Sequence, residues 1–491
     1  MNIPQQVLDQ ARRSPDAVAI EDDQGALTYR VLAQRSLRTA AALMHRFPGP
    51  GIIALRLPPG RHHVVAALAA MLAGRPYLSM DPSEPPGRVR RFLEESRICA
   101  VVGTAAQDHS HQAVSLSDLL RHCAPAHPRE PIPTEPAGAG EGAYVARTSG
   151  STGTPKGVLL GHAGLSNLVS WNNRTYGLGP GCRQLQTAGI GFDAAVWETW
   201  PVLCAGATLV VAPMEIRLSP AALVDYARSK SISLLFAPTP IAEMIVDLDD
   251  DEAVPWHTLL TGGDLLRLRR IPHGWRIVNH YGPAEATVVT TWHPVTDLPQ
   301  DGLPPIGRPI DGLQVALWGA DGAHRPVPGV RGEIVISGPG VALEYVNRPA
   351  ETAAAFGPVP GLPGRWYRTG DRAVVDAGGS LLFEGRTSAE QVNVRGVRIE
   401  VAEVEVALMR LPQIRQAAVG AVGQAGTHRV LGAVVVTDDE GLTPSVLRAA
   451  LLNELPSAAL PVRVIRVPDL PLTPHGKIDR RAVGRLLNNE R

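Results

Sequence analysis

Residues 148–158 read TSGSTGTPKGV, with YVA shortly before them and the run VLL beginning at the last of them, Val158. Gly150, Gly153 and Gly157 free the backbone to turn consecutive N–H groups toward one point, which makes a nest for an anion. Thr148, Ser149, Ser151, Thr152 and Thr154 add hydroxyl donors, and Lys156 adds one compact positive charge. An ordinary Ser/Gly stretch is a flexible surface link. Five hydroxyls, three glycines and a lysine between two apolar runs instead fit a loop that wraps phosphate. The spacing is not GxxxxGK[ST], because Pro155 stands directly before Lys156 and Gly157 follows it.

Outward from this loop, short β-rich runs alternate with helical patterns. HHVVAALAAMLAG (62–74) repeats apolar residues at helical spacing and stops at a glycine, and ICAVVGT (98–104) reads as a strand. On the other side, ATLVVAP (207–213), ISLLFAP (232–238), WHTLLTGGD (256–264) and WRIVNHYGP (275–283) are strand-like runs, with a helical PAALVDYARSK (220–230) among them. This alternation predicts layered parallel α/β sheets. From about residue 310 the pattern becomes strands and Gly-containing turns, which predicts a β-barrel-like antiparallel section. After FEGR (383–386) the chain restarts as a small α+β unit. The expected division is therefore a large domain over 1–386 and a small one over 387–491, with the Pro/Gly/Ala-rich stretch 124–142 as an exposed connector.

Composition narrows the function classes. Lys plus Arg and Asp plus Glu both number 47, so the chain lacks the basic excess of a nucleic-acid or acidic-membrane binder. Its four cysteines (Cys99, Cys123, Cys182, Cys204) have no metal-ligand spacing. There is no signal-peptide pattern and no apolar run of about eighteen residues, so a cytoplasmic enzyme with no nucleic acid or membrane partner is expected.

TSGSTGTPKGV resembles the phosphate loop of the adenylate-forming superfamily, which includes acyl-CoA synthetases and the adenylation domains of nonribosomal peptide synthetases. The resemblance runs collinearly through LAGRPYLSMDPSEPPGRVR (72–90), NHYGPAEATV (279–288), GEIVISGPGVALEYVNRP (332–349), YRTGD (367–371), VRGVRIEVAEVE (394–405) and PLTPHGKIDR (471–480). It implies that the chain uses ATP and Mg²⁺. Thr148, Ser149, Gly150, Ser151, Thr152, Gly153 and Lys156 would hold phosphates, and Glu285 would ligate the metal. Tyr281, beside Gly282, would stack on adenine, with Gly263 and Asp264 near its edge. Asp371 and Arg386 would bind the ribose, and Lys477 would reach the substrate carboxylate and the phosphoryl oxygens. A solvated surface lysine is the ordinary alternative for Lys477. Two positions depart from the family: Ala284 stands where Thr is more usual, and Ser388 where the hinge usually has Asp.

GFDAAVWETWPVLCAGATLVV (191–211) resembles the amino-acid-activating branch. The resemblance implies that Asp193 pairs with the substrate ammonium; an N-cap role before AAVWE is the alternative. The remaining pocket positions are then Ala194, Trp197, Leu235, Leu260, Gly262, His280, Val288 and Val289, with Lys477 at the carboxylate end. This mostly apolar wall suits a branched aliphatic, leucine-like amino acid; proline and β-amino acids stay open. The residues after Lys477 carry no Gly-Gly-x-Ser carrier motif, so a free-standing adenylation enzyme is expected. Its partners would be a phosphopantetheinylated carrier protein in trans and a small MbtH-type accessory protein. The rival readings are an acyl- or aryl-CoA ligase, and a non-catalytic ATP-binding regulatory protein.

Overall fold

The segment Ala194–Ala205 (AAVWETWPVLCA) is apolar on every side apart from Glu198, so as a helix it can be stable only between two layers. That is where the computed structural model puts it: every residue from Ala195 to Cys204 is buried. The structure describes residues 2–84, 86–103, 113–121, 142–148, 156–248, 254, 256–298, 303–319, 322–386, 391–394, 397–423, 430–439, 441–471 and 478–489. The helix Arg61–Leu72, apolar from Val64 onward, is likewise buried from His63 to Leu72.

The flanking layers are two sheets whose inner faces share one core, joining Ile53 and Leu55 of one to Leu209, Phe236 and Leu260 of the other. The first has seven strands and carries Gly142–Thr148 beside Lys156–Gly161, the strands on either side of the glycine-rich loop. The second has nine strands. In it Val18–Asp22, Thr208–Val211, Arg183–Gln186, Leu234–Pro238, Thr258–Gly262 and Arg276–Tyr281 run parallel. Antiparallel strands close both edges.

Strand order decides where a ligand can sit. After Arg183–Gln186 the chain forms Thr208–Val211 on one side, then crosses to form Leu234–Pro238 on the other. A reversal of this kind opens a crevice at the carboxyl ends of the strands. Here those ends lead into residues 187–193, Thr239, Gly263 and Gly282.

The section after residue 310 is a six-stranded antiparallel sheet that includes Leu362–Val375 and Leu381–Arg386. By compactness the chain divides into one unit of 1–82, 96–147 and 157–385, and a second of 83–95, 148–156 and 386–491. The second unit has a three-stranded sheet, Gln416–Val422, Val430–Val436 and Arg463–Arg466. Helices Val401–Met409, Pro444–Leu451 and Arg480–Asn488 belong to the same unit. The connector 124–141 lies outside the described residues.

Candidate active site

Strand Arg276–Tyr281 delivers two expected residues to opposite faces, because side chains alternate along a strand. Tyr281 donates its hydroxyl to Oδ2 of Asp371 at 2.7 Å. Asp371 is buried, and its own N–H is anchored on Thr369 Oγ1. The expected adenine and ribose residues thus meet. Phe383 lies 6.3 Å from the Tyr281 ring. The Gly262–Asp264 turn is fixed by Thr239, whose hydroxyl donates to the Gly262 carbonyl at 3.1 Å. Gly263 has φ +93°, in the left-handed region that favours glycine. Oδ1 of Asp264 accepts from the N–H of Leu265.

His280, on the other face, touches Trp197 with ring centroids 4.8 Å apart. Gly262 lies opposite it in register, and a Cβ there would meet the His280 carbonyl at 2.6 Å. Trp197 also packs edge-on against Phe236 at 5.3 Å. This corrects one expected wall residue. Leu235 faces the opposite side of its strand, in a separate core with Leu185, Ile241 and Leu259, while Phe236 and Leu260 face Trp197. A single-residue frame error at ISLLFAP moves the side chain through the sheet.

Val288 and Val289 enter the same core as Trp197 from an unusual turn. Thr287 and Val288 have φ of 58° and 67°, and a β-branched residue there is strained by about 1–3 kcal/mol. Gly282 makes room for the turn, since a Cβ at that position would lie 2.2 Å from the Val288 carbonyl. Val288→Gly removes a wall methyl pair but relieves the backbone, whereas Val289, 1% exposed and without positive φ, offers no relief. Val288→Gly should therefore cost less stability than Val289→Gly, by about 1–2 kcal/mol. Urea unfolding of the two variants measures that difference.

Asp193 occupies the N-cap position of Ala194–Ala205 yet makes no side-chain capping bond. Its charge is felt nearby: burial, and then the Asp193 carboxylate, push the Tyr144 hydroxyl well above its ordinary value. Glu285 sits in the short turn Ala284–Ala286, 2% exposed, where Oε1 accepts from the Tyr345 hydroxyl at 2.9 Å. A single buried carboxylate fits Mg²⁺, which usually takes one or two protein carboxylates and completes its shell with phosphate and water oxygens. Among the described residues no trio of His, Cys, Asp or Glu forms a protein-only metal site.

Of the other expected residues, Thr148 ends its strand and Lys156 opens the next. Ser149, Gly150, Ser151, Thr152, Gly153, Ser388 and Lys477 lie outside the described residues, as does the side chain of Arg386. Sequence reasoning missed Phe236, Tyr176, Asn172, Glu198 and Asn279. Glu198 had a signal, as the one charge in a twelve-residue apolar helix. Asn279 is buried on the Tyr281 face of its strand, and among the described residues its Oδ1 has no hydrogen-bond partner, so it suits an exocyclic amino group.

Residues 7–346 match the family model of the AMP-binding enzymes, and residues 403–477 match the AMP-binding enzyme C-terminal domain. Bacitracin synthase 1 of Bacillus licheniformis is 36% identical over 97% of the chain, and tyrocidine synthase 2 of Brevibacillus parabrevis 34% identical over 96%. The chain spans 9% of the length of the first and 13% of the second. Among solved structures, holo-PA1221, an NRPS protein containing adenylation and PCP domains, superposes with a TM-score of 0.81 at 29% identity, covering 98% of this chain and 84% of that one. The fused adenylation–PCP protein NpsA-ThdA from Klebsiella oxytoca shares the fold, with a TM-score of 0.83 at 24% identity over 95% and 94% of the two chains. No helix among the described residues is long and apolar enough to cross a membrane.

Proposed function

The chain belongs to the AMP-binding enzyme family; from that premise we propose that it is an amino-acid-adenylating ligase that activates an aliphatic, leucine-like α-amino acid and passes it to a carrier-protein thiol. In the first step a carboxylate oxygen of the amino acid bonds to the α-phosphorus of ATP and the bond to the β-phosphate oxygen breaks, releasing pyrophosphate. In the second, a phosphopantetheine sulfur attacks the acyl carbon, the thiol proton is lost, and AMP leaves.

The observation that carries this reading is Asp193 directly ahead of the helix that bears Trp197, where its negative charge, after burial, helps push the neighbouring Tyr144 hydroxyl well above its ordinary value. An ammonium entering the wall to which Trp197 belongs needs a counter-charge to offset its desolvation. The wall itself is Trp197, Phe236, Leu260, His280, Val288 and Val289, with Ala194 and Gly262 leaving space. His280 adds no charge, because burial lowers it to about 4.

Tyr281, Asp371 and Asn279 would orient the nucleoside. The loop 148–156, with Ser149, Ser151, Thr152 and Lys156, would hold the phosphates, assisted by Arg386 at the ribose and by Lys477 at the reacting carboxylate. Glu285 would hold Mg²⁺, which when bound supplies neutralisation of phosphate charge. The carrier protein is proposed as a partner because the solved relative holo-PA1221 is itself an adenylation–PCP protein. Docking in trans and an MbtH-type accessory protein are further parts of the proposal.

Amino-acid-dependent ATP–pyrophosphate exchange over a panel of amino, fatty and aryl acids tests the reading. Strongest exchange with leucine or a close aliphatic relative is expected. Exchange only with acids lacking an amino group would move the chain to the CoA-ligase reading and overturn this one.

A further inference from the structure

The two polar residues in the proposed substrate wall, His280 and Trp197, both have their polar atoms occupied from behind. His280 Nδ1 lies 2.9 Å from the Thr261 carbonyl. A carbonyl only accepts, so Nδ1 carries the proton and Nε2 of the neutral ring holds a lone pair. The Tyr176 hydroxyl, 2.6 Å from Nε2, must then be the donor. Trp197 donates its indole N–H to Asn172 Oδ1 at 2.8 Å. Tyr176 and Asn172 both come from the helix His162–Tyr176, which packs against the helix bearing Trp197. Trp171 of the same helix closes the cluster, edge-on to Tyr176 at 5.7 Å and to His280 at 6.2 Å.

We propose that Tyr176 and Asn172 are specificity-determining positioning residues: by occupying Nε2 of His280 and the N–H of Trp197, they leave the substrate wall without an available donor or acceptor, so that it selects an apolar side chain over a polar one of the same shape. The proposal rests on the adenylation reading and sharpens its substrate class. A pocket built of carbon surface alone discriminates weakly between aliphatic shapes, but it makes a buried amide or hydroxyl lose its water partners without replacement. Asparagine, nearly isosteric with leucine, is the informative competitor. Without the Tyr176 hydroxyl, Nε2 loses its donor, and the ring is released to flip or to admit water. The wall then acquires a polar atom.

The test compares kcat/KM for leucine and asparagine, in pyrophosphate exchange, for the full chain and for Tyr176→Phe. The leucine preference should fall by about tenfold or more in the variant. A wild-type leucine preference that Tyr176→Phe leaves within about twofold overturns the proposal. A second readout needs neither activity nor the variant's folding. In ¹⁵N-histidine-labelled wild-type protein, the His280 signals, identified by their loss in His280→Asn, should show a protonated Nδ1 and a bare Nε2. A proton on Nε2 overturns the proposal. If the wild-type protein shows no exchange with any amino acid of the panel, the adenylation reading fails and takes the selectivity with it, whereas a leucine preference that survives in Tyr176→Phe, or a proton on Nε2, overturns this proposal alone.

Discussion

Asp193→Ala is expected to lower kcat/KM for the amino acid by about a hundred- to a thousandfold while leaving the fold intact. The size follows from what the substrate ammonium loses. A cation taken from water into a site of low polarity needs its partner, and removing one member of such a pair costs about 3–5 kcal/mol when both are fully buried. Asp193 is only partly buried, which places the effect at the lower end of that range. Stability should change less than activity, because the side chain is partly exposed to solvent. Amino-acid-dependent pyrophosphate exchange, run beside thermal unfolding, separates the two effects. A variant that keeps full exchange with amino acids would show that the carboxylate does not meet the ammonium. A variant that loses exchange together with much of its Tm would instead reveal a structural carboxylate.

The layered fold was legible because its strands are short, apolar and regularly separated by amphipathic or fully apolar helices, and these patterns set both period and burial. Asp193, Trp197, Gly262 and His280 came from the resemblance to the amino-acid-activating branch and not from spacing or composition; the structure sets Trp197 against His280 and Gly262 beside it in register. Leu235 could not be placed correctly, since three consecutive large apolar residues, Leu234, Leu235 and Phe236, fit either face, and only pairing with Leu259 and Leu260 sets which way each points. Tyr176 and Asn172 were invisible for a different reason. Their partners, His280 and Trp197, lie 104 and 25 residues along the chain, and a hydrogen bond across that distance leaves no mark in spacing. The strained Val288 was equally hidden, because its left-handed φ comes from the turn packed against Gly282 and not from a turn-forming side chain.

The second large effect is expected at Glu198, 0% exposed in the apolar helix between the two sheets. Its Oε1 accepts from the N–H of Thr187 at 2.9 Å and its Oε2 from that of Ala188 at 3.0 Å, tying down the start of the stretch that leads to Asp193. The Thr187 hydroxyl lies 2.9 Å from both Glu198 Oε1 and the Phe236 carbonyl. With one hydrogen it can donate fully to only one of them. If it donates to Phe236, Glu198 must carry a proton and donate in return. Burial pushes the carboxyl the same way, up to about 7 from 4.5, against the opposing pull of the Thr187 and Ala188 bonds and of Arg217. A folded-state value raised above the unfolded one means that the folded protein holds the proton longer. The stabilisation is then complete below about pH 4.5 and is lost as pH rises toward 7. The shift of about 2.5 (7 less 4.5) corresponds to roughly 3 kcal/mol. His63 and His280, both lowered to about 4, slope the opposite way but are common to wild type and variant. Glu198→Ala, which strands two buried N–H groups, should cost about 3–5 kcal/mol at pH 5. That cost should shrink by roughly 2.5 kcal/mol between pH 5 and pH 8, as measured by urea unfolding of both proteins at each pH. A cost that does not change with pH would mean that Glu198 is ionised in the folded state throughout, and that the Thr187 hydroxyl points at it and not at Phe236.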